Sequence, residues 1–328
     1  MQALWHKHPE LHRIELTSDQ EIYINGKIGN PCALKQFILL SQTTMPRIAL
    51  STYSLFLTKN YLQAMEFAIE HGFQGIEIWS NVFDFWPKTV SAREIDAIKA
   101  LARGNHISLA MHFCGGNNLA DINEGHLRES MEQLKEAVRL CQKIGAEVLV
   151  IHPGSGPPMS IHEKGSFSHY PQFSLTSLQT SAVARFKKSL KEAARFAEKR
   201  DVILGLENFS HVKGCIQSTF EELVEWVDEI GNPALQITLD IGHANLEGGV
   251  EKAIEIFGSR IKHVHLNDNN GATSDHGELG TGTIDWAANA PFLRSFKGML
   301  SLELLGFDDL EGTVLRSKSF LERLLKEG

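Results

Sequence analysis

Between Ile261 and Trp286 the chain reads IKHVHLNDNNGATSDHGELGTGTIDW. His263 and His265 stand two apart in a short apolar run, so in a strand both imidazoles point to one face. The run passes into a polar, glycine-rich loop with Asp268, Asp275 and His276. It ends at GTGTIDW, where Thr283 or Asp285 offers an N-cap to a following helix. Imidazole and carboxylate gathered at a strand end are donors able to hold a divalent metal ion. A lone strand histidine is more often a hydrogen-bonded core residue, so the assignment depends on what other strands bring.

From the third strand onward, every apolar run ends in such a residue: His112, His152, Glu207, Asp240, His265 and Glu303. If the strands are parallel and closed into a barrel, these ends form its mouth and the inward side chains converge. The residues two earlier support inward pointing, because Ala110, Gly205, Thr238, His263 and Ser301 are small or polar, with Val150 the apolar exception. Asp, Glu and His fill about one position in six, so six matches in six, with about three positions of slack per strand, would arise by chance well under about one time in twenty. His243, three after Asp240 in LDIGHAN, and His276 extend the set. Nitrogen and oxygen donors without sulfur suit zinc, manganese or cobalt better than calcium. The number of donors is enough for one to three ions, or for one ion with some histidines left to contact substrate.

The elements that must position these residues alternate without interruption from Arg47. Strands are predicted at Ile48–Thr52, Gly75–Trp79, Ile107–Phe113, Glu147–His152, Val202–Glu207, Gln236–Asp240, Lys262–Asn267 and Met299–Leu304. Helices follow them at Lys59–His71, Ser91–Arg103, Glu124–Ile144, Gln179–Lys199, Thr219–Ile230, Gly249–Phe257, Ile284–Arg294 and Gly312–Lys326, several closed by a glycine. Eight strand–helix units in about 280 residues predict an α/β protein, a (β/α)₈ TIM barrel. The strands are apolar runs rather than alternations, as in a parallel sheet buried on both faces. A doubly wound open sheet is the rival, but no GxGxxG follows the first strand. The 26-residue connection Pro153–Leu178, with His162, His169 and Tyr170, would overhang the mouth as a lid or binding loop. Residues 1–44 are polar and break the rhythm; they are expected to form a short N-terminal appendage to a barrel domain at 45–328, with a hairpin in QEIYINGKIGN and Met45 as an alternative start.

A formal net charge of -8 argues against nonspecific nucleic-acid binding as the main activity. The four cysteines form no CxxC pair, which fits a reducing compartment and provides no thiolate site. No apolar run approaches the roughly 18 residues of a membrane helix, and no signal-peptide pattern opens the chain. The expectation is a cytoplasmic protein.

The motifs IHPGS, GLENF, LDIGHAN, HVHLNDN and HGELGTGTIDW, in this order, resemble the xylose isomerase-like TIM barrel superfamily, from about Arg47 to the C-terminus. That group includes sugar-phosphate isomerases and epimerases and endonuclease IV-type AP endonucleases. In the first branch one metal is held by glutamate, aspartate, histidine and glutamate, which match Glu207, Asp240, His265 and Glu303. In the second, further histidines match His112, His152, His243 and His276, and three zinc ions are held. That branch has Asp-x-His where this chain reads Ser274-Asp275-His276, so Asp275 is one place out of register. HFCGGNNLA keeps the AsnLeuAla of both branches, but Gly115 stands where DNA-acting members tend to carry a bulky aromatic.

The resemblance implies a metal-dependent sugar or sugar-phosphate isomerase or epimerase, with Glu207 and Glu303 moving a proton through an enediolate. His243 would orient a hydroxyl, Trp79 or Trp86 would wall the sugar face, and Asp268 would join the substrate contacts. The alternative is a multinuclear zinc phosphodiesterase of the AP endonuclease type. The expected partner is a small-molecule sugar, with nucleic acid only under the alternative, no membrane, and a homo-oligomer as one assembly open to it.

Overall fold

The computed structural model describes residues 46–80, 85–113, 117–155, 175–209, 215–306 and 308–327, together with short strands at 14–16, 22–24 and 27–28. The chain divides into two compact units, Met1–Pro46 with Ser295–Lys297 and Arg47–Arg294 with Gly298–Gly328. In the first, Ile14–Leu16, Ile22–Ile24 and Lys27–Ile28 pair antiparallel in sequence order, the last two forming the hairpin expected there.

In the second unit, eight parallel strands close a barrel: β1 (Arg47–Ser51), β2 (Gly75–Ser80), β3 (Ser108–Phe113), β4 (Val148–Ile151), β5 (Ile203–Glu207), β6 (Leu235–Asp240), β7 (Ile261–Leu266) and β8 (Met299–Leu302). Each pairs with its sequence neighbours, and β8 returns to β1 with Ser301 opposite Ala49. Ser54, just past β1, fastens that seam: its hydroxyl donates to Leu302 O at 3.1 Å and accepts from Leu304 N at 2.8 Å. The TIM barrel expectation is met, and each strand lies within two residues of its predicted bounds.

Around the strands lie α1 (Tyr61–Glu70), α2 (Ala92–Gly104), α3 (Glu124–Ile144), α4 (Leu175–Glu198), α5 (Phe220–Ile230), α6 (Ile241–Glu247), α7 (Val250–Phe257), α8 (Trp286–Ser295) and α9 (Leu310–Lys326). Their starts follow from local chemistry. Asn60 with Gln63 and Ser91 with Glu94 form capping boxes, while Asn123 and Thr219 cap α3 and α5. The inward face of α4 is apolar, with Phe186, Leu190, Ala194 and Ala197 fully buried. Burial of a side chain as large as Phe186 or Leu190 contributes about 1.5–3 kcal/mol. The seven-residue α6 is not foreseen in the sequence, because it follows β6 with no turn residue between them.

Inside the barrel an aliphatic plug of Ala49, Ala110, Val148, Val150 and Met299 fills the lower layer. Above it the inward positions become polar, with Ser51, Glu77, Thr238, His263 and Ser301 all buried. Gly205 leaves room for Thr238, whose hydroxyl occupies the space a Cβ there would need. Of the loop Pro153–Leu178, residues 156–174 lie outside the described residues, with His162, His169 and Tyr170; so does Gly115.

Candidate functional site

At the C-terminal mouth, β5, β6 and β7 end in Glu207, Asp240 and His265, and Glu303 follows β8 directly. Glu303 is held to its neighbour strand by its backbone N–H, which donates to Leu266 O at 3.1 Å. The four side chains each put a donor atom within 4.8 Å of the others. All four are at most 2 % exposed. His265 Nδ1 is the centre of the group, 3.4 Å from Glu303 Oε2, 3.5 Å from Glu207 Oε1 and 3.8 Å from Asp240 Oδ2. It has no hydrogen-bond partner. Three buried carboxylates around one imidazole carry more negative charge than that ring can offset, which is costly unless a further cation joins them. Three oxygen donors and one nitrogen donor therefore fit a divalent ion such as zinc, manganese or cobalt.

Each side chain is fixed from behind. Asp240 Oδ1 accepts from His243 N at 2.7 Å and so caps α6, while Oδ2 accepts from Asn267 Nδ2 at 3.0 Å. Asn267 comes this close only because residue 242 is glycine: a Cβ there would fall on the Asn267 amide. Asn208 clasps the Asp240 backbone, donating to its carbonyl at 3.0 Å and accepting from its N–H at 2.8 Å. The indole N–H of Trp79 donates to Glu303 Oε1 at 3.0 Å.

Three of the four remaining candidate histidines gather on Glu207. His112 Nε2 and His152 Nε2 lie 3.3 and 3.1 Å from its Oε2, and His243 Nδ1 lies 3.1 Å from Oε1. His276 takes a left-handed backbone (φ 46) and sets Nδ1 3.1 Å from Glu303 O. Thus all eight predicted metal-ligand candidates sit in one cluster, four in a tight group and four around it. Asp275 points away; it is exposed and accepts from Thr273 Oγ1 at 2.6 Å.

Two predicted substrate contacts are placed differently. Asp268 is committed to its own loop: Oδ1 accepts from Asn269 N at 2.9 Å and Ile284 N at 3.4 Å, and Oδ2 from Gly280 N at 2.9 Å and Trp286 Nε1 at 2.8 Å. A buried carboxylate with four donors stabilises the loop and has little left for a ligand. Trp86 is 43 % exposed, and among the described residues it stacks on none of the site's rings. Trp79 instead carries the wall, stacked on Tyr53 at 4.0 Å and tilted against His112 at 4.9 Å.

Sequence reasoning missed Tyr53, Asn208 and above all Glu77. Glu77 lies on β2, fully buried, and its Oε2 is 2.6 Å from His263 Nε2 and 2.9 Å from His265 Nε2. The signal was present in GIEIW, where a lone carboxylate interrupts an apolar strand on its inward face. It is not at a strand end, where the ligands were sought.

The electrostatics separate the two glutamates. Burial would push the Glu207 carboxyl up, but charge on His265 and His152 and hydrogen bonds from His112 and His152 hold it well below the usual range. Burial pushes Glu303 up to about 8; His265 opposes this, while Glu207, Glu77 and Asp240 add to it. His265 is raised well above its ordinary value, since Glu77, Glu303 and Glu207 outweigh its burial. Burial lowers His112 to about 4, whereas Asp240 and Glu207 overcome burial to raise His243 to about 9.

Among described residues no helix is long and apolar enough to cross a membrane. The chain is 26% identical over 277 residues to a probable ketose 3-epimerase of Synechocystis sp., covering 81% of this chain and 87% of that protein. It is 32% identical over 197 residues to a probable endonuclease 4 of Thermotoga neapolitana, covering 55% of this chain and 61% of that protein. The solved structure of a D-tagatose 3-epimerase-like protein superposes with a TM-score of 0.71 at 26% identity, covering 85% of this chain and 97% of that one. Residues 65–324 match the profile of the xylose isomerase-like TIM barrel, and the chain belongs to that family.

Proposed function

We propose that the chain is a metal-dependent epimerase or isomerase of sugars, ketoses first among them, working by proton transfer through an enediolate. The observation that carries this reading is His265 Nδ1, buried, unpaired and ringed by carboxylate oxygens of Glu303, Glu207 and Asp240. Glu207, Asp240, His265 and Glu303 would hold one divalent ion. Such an ion, when bound, polarises a carbonyl and acidifies the neighbouring C–H.

The proton work falls to Glu207 and Glu303. They stand three strands apart around an eight-strand ring, so a carbon held between them would offer one face to each. One carboxylate removes the proton and the other returns one, which inverts the centre. Before any ion binds, their environments already differ: Glu207 is held well below the usual carboxylate range while burial pushes Glu303 up to about 8. That is the kind of difference that separates a base from an acid. His243, beside Glu207, orients a hydroxyl. Trp79, with Tyr53 stacked behind it, gives an apolar wall for a sugar face. The probable ketose 3-epimerase and the D-tagatose 3-epimerase-like structure among its relatives support the same class of substrate.

The test is deuterium wash-in. The protein incubated with a panel of ketoses in deuterated water is expected to label the carbon beside the carbonyl. Glu303→Gln, which keeps the shape but cannot accept the proton, is expected to abolish labelling and leave the melting curve in place. One observation favours a second reading, a multinuclear zinc phosphodiesterase: His112 and His152 both bracket Glu207 Oε2. Cleavage of abasic duplex DNA, lost on removal of His112 or His152, with no labelling of any ketose, would overturn the epimerase in its favour.

A further inference from the structure

We infer that Glu77 is the positioning residue of this site: it takes the Nε2–H of His265 and thereby leaves Nδ1, on the side of the three carboxylates, as the nitrogen whose lone pair a bound metal takes. The inference rests on the metal reading proposed above, but concerns a residue that reading does not use. An imidazole presents two nitrogens, and the partner of one decides which of them is free to ligate. Here the partner lies across the barrel, on β2, 188 residues away in sequence. Glu77 Oε2 lies 2.9 Å from His265 Nε2, within hydrogen-bond range, while Nδ1 on the opposite edge of the ring has no partner.

A carboxylate at 0 % exposure needs more than one donor to remain in place. His263 supplies the second. Its Nε2 reaches the same oxygen at 2.6 Å, with its ring perpendicular to that of His265 and 5.2 Å away. This accounts for the His-x-His spacing in β7: both rings point inward, one is a ligand, and the other holds the carboxylate that aims the ligand. His263 Nδ1 and Glu77 Oε1 have no partner in the polar layer that Ser51, Thr238 and Ser301 share with them. The orientation therefore runs from His263 to Glu77 to His265.

The experiment uses the full chain and Co2+ alone as probe, with affinity measured by chelator competition and the coordination read from the visible spectrum. Removing a hydrogen-bond partner of a metal-bound histidine typically costs about 10–100-fold in affinity. Glu77→Gln is expected to lose that much while the metal-free variant keeps its melting temperature within a few degrees. His263→Ala, which leaves the Glu77–His265 contact, is expected to lose less. A second measurement needs no variant: in the Zn2+-loaded wild type, long-range 1H–15N correlation is expected to show His265 with its proton on Nε2 and its Nδ1 shifted by the metal. Wild-type Co2+ binding with unchanged affinity in Glu77→Gln, or an Nδ1–H tautomer on loaded His265, overturns the inference and leaves the metal site standing. A wild-type chain that binds no Co2+ overturns the metal reading and this inference with it.

Discussion

Metal uptake by this site is expected to release protons, and the number can be worked out. A ligand must be deprotonated to bind, so protons and metal compete. Of the four proposed ligand side chains, Glu207 is held well below the usual range and has no proton to lose at neutral pH. His265 is raised well above its ordinary value and holds one on the nitrogen that must ligate. Glu303, pushed up by burial to about 8, still holds its proton in about nine chains of ten at pH 7. Binding then expels about two protons, and the logarithm of the affinity climbs with pH at a slope near 2. From pH 6.5 to 7.5 that is about a hundredfold, or roughly 2.7 kcal/mol. As the pH rises through 8 Glu303 loses its proton before the metal arrives, so the slope falls by about one. The assay is calorimetric titration with Co2+ in two buffers of different ionisation enthalpy, repeated across pH 6 to 9. A slope below about 0.5 throughout, or one that steepens above pH 8, would refute the argument.

Two other outcomes can be measured directly. Gly242→Ala places a methyl on the Asn267 amide and breaks its bond to Asp240 Oδ2, so a loss of about 1–3 kcal/mol in thermal stability is expected, with weaker metal binding; an unchanged melting curve would contradict it. Removing residues 1–44 is expected to leave the barrel folded, as judged by circular dichroism and melting, because the eight strands close without them; an insoluble or much less stable truncation would contradict it.

The barrel was legible because a parallel strand buried on both faces is an apolar run, and each run is followed by an amphipathic helix with its own cap. The candidate ligands were legible because they stand at the ends of those runs. Glu77 was not, since its role depends on a ring reaching it across the barrel interior, and nothing in GIEIW tells which strand faces it. Asp268 misled for a related reason: a carboxylate in a polar loop reads as available, and only the fold brings Gly280, Ile284 and Trp286 back to occupy it. Trp79 and Trp86 are alike in the sequence; the strand end turns one ring onto Glu303, while the other is exposed.

The clasp made by Ser54 bears on the order in which the molecule is assembled. It joins a turn after the first barrel strand to Leu304, 250 residues on, so the ring cannot shut until its last strand has been made. Glu303 arrives with that strand. The proposed site, which needs Glu207, Asp240, His265 and Glu303 together, thus comes into being in the same event that shuts the ring. Loop closure over such a span is slow and exposes unpaired strand edges while it waits. Any ion held by all four residues binds only the shut form and deepens its well by mass action. Partly wound chains, which still lack Glu303, gain nothing from the ion.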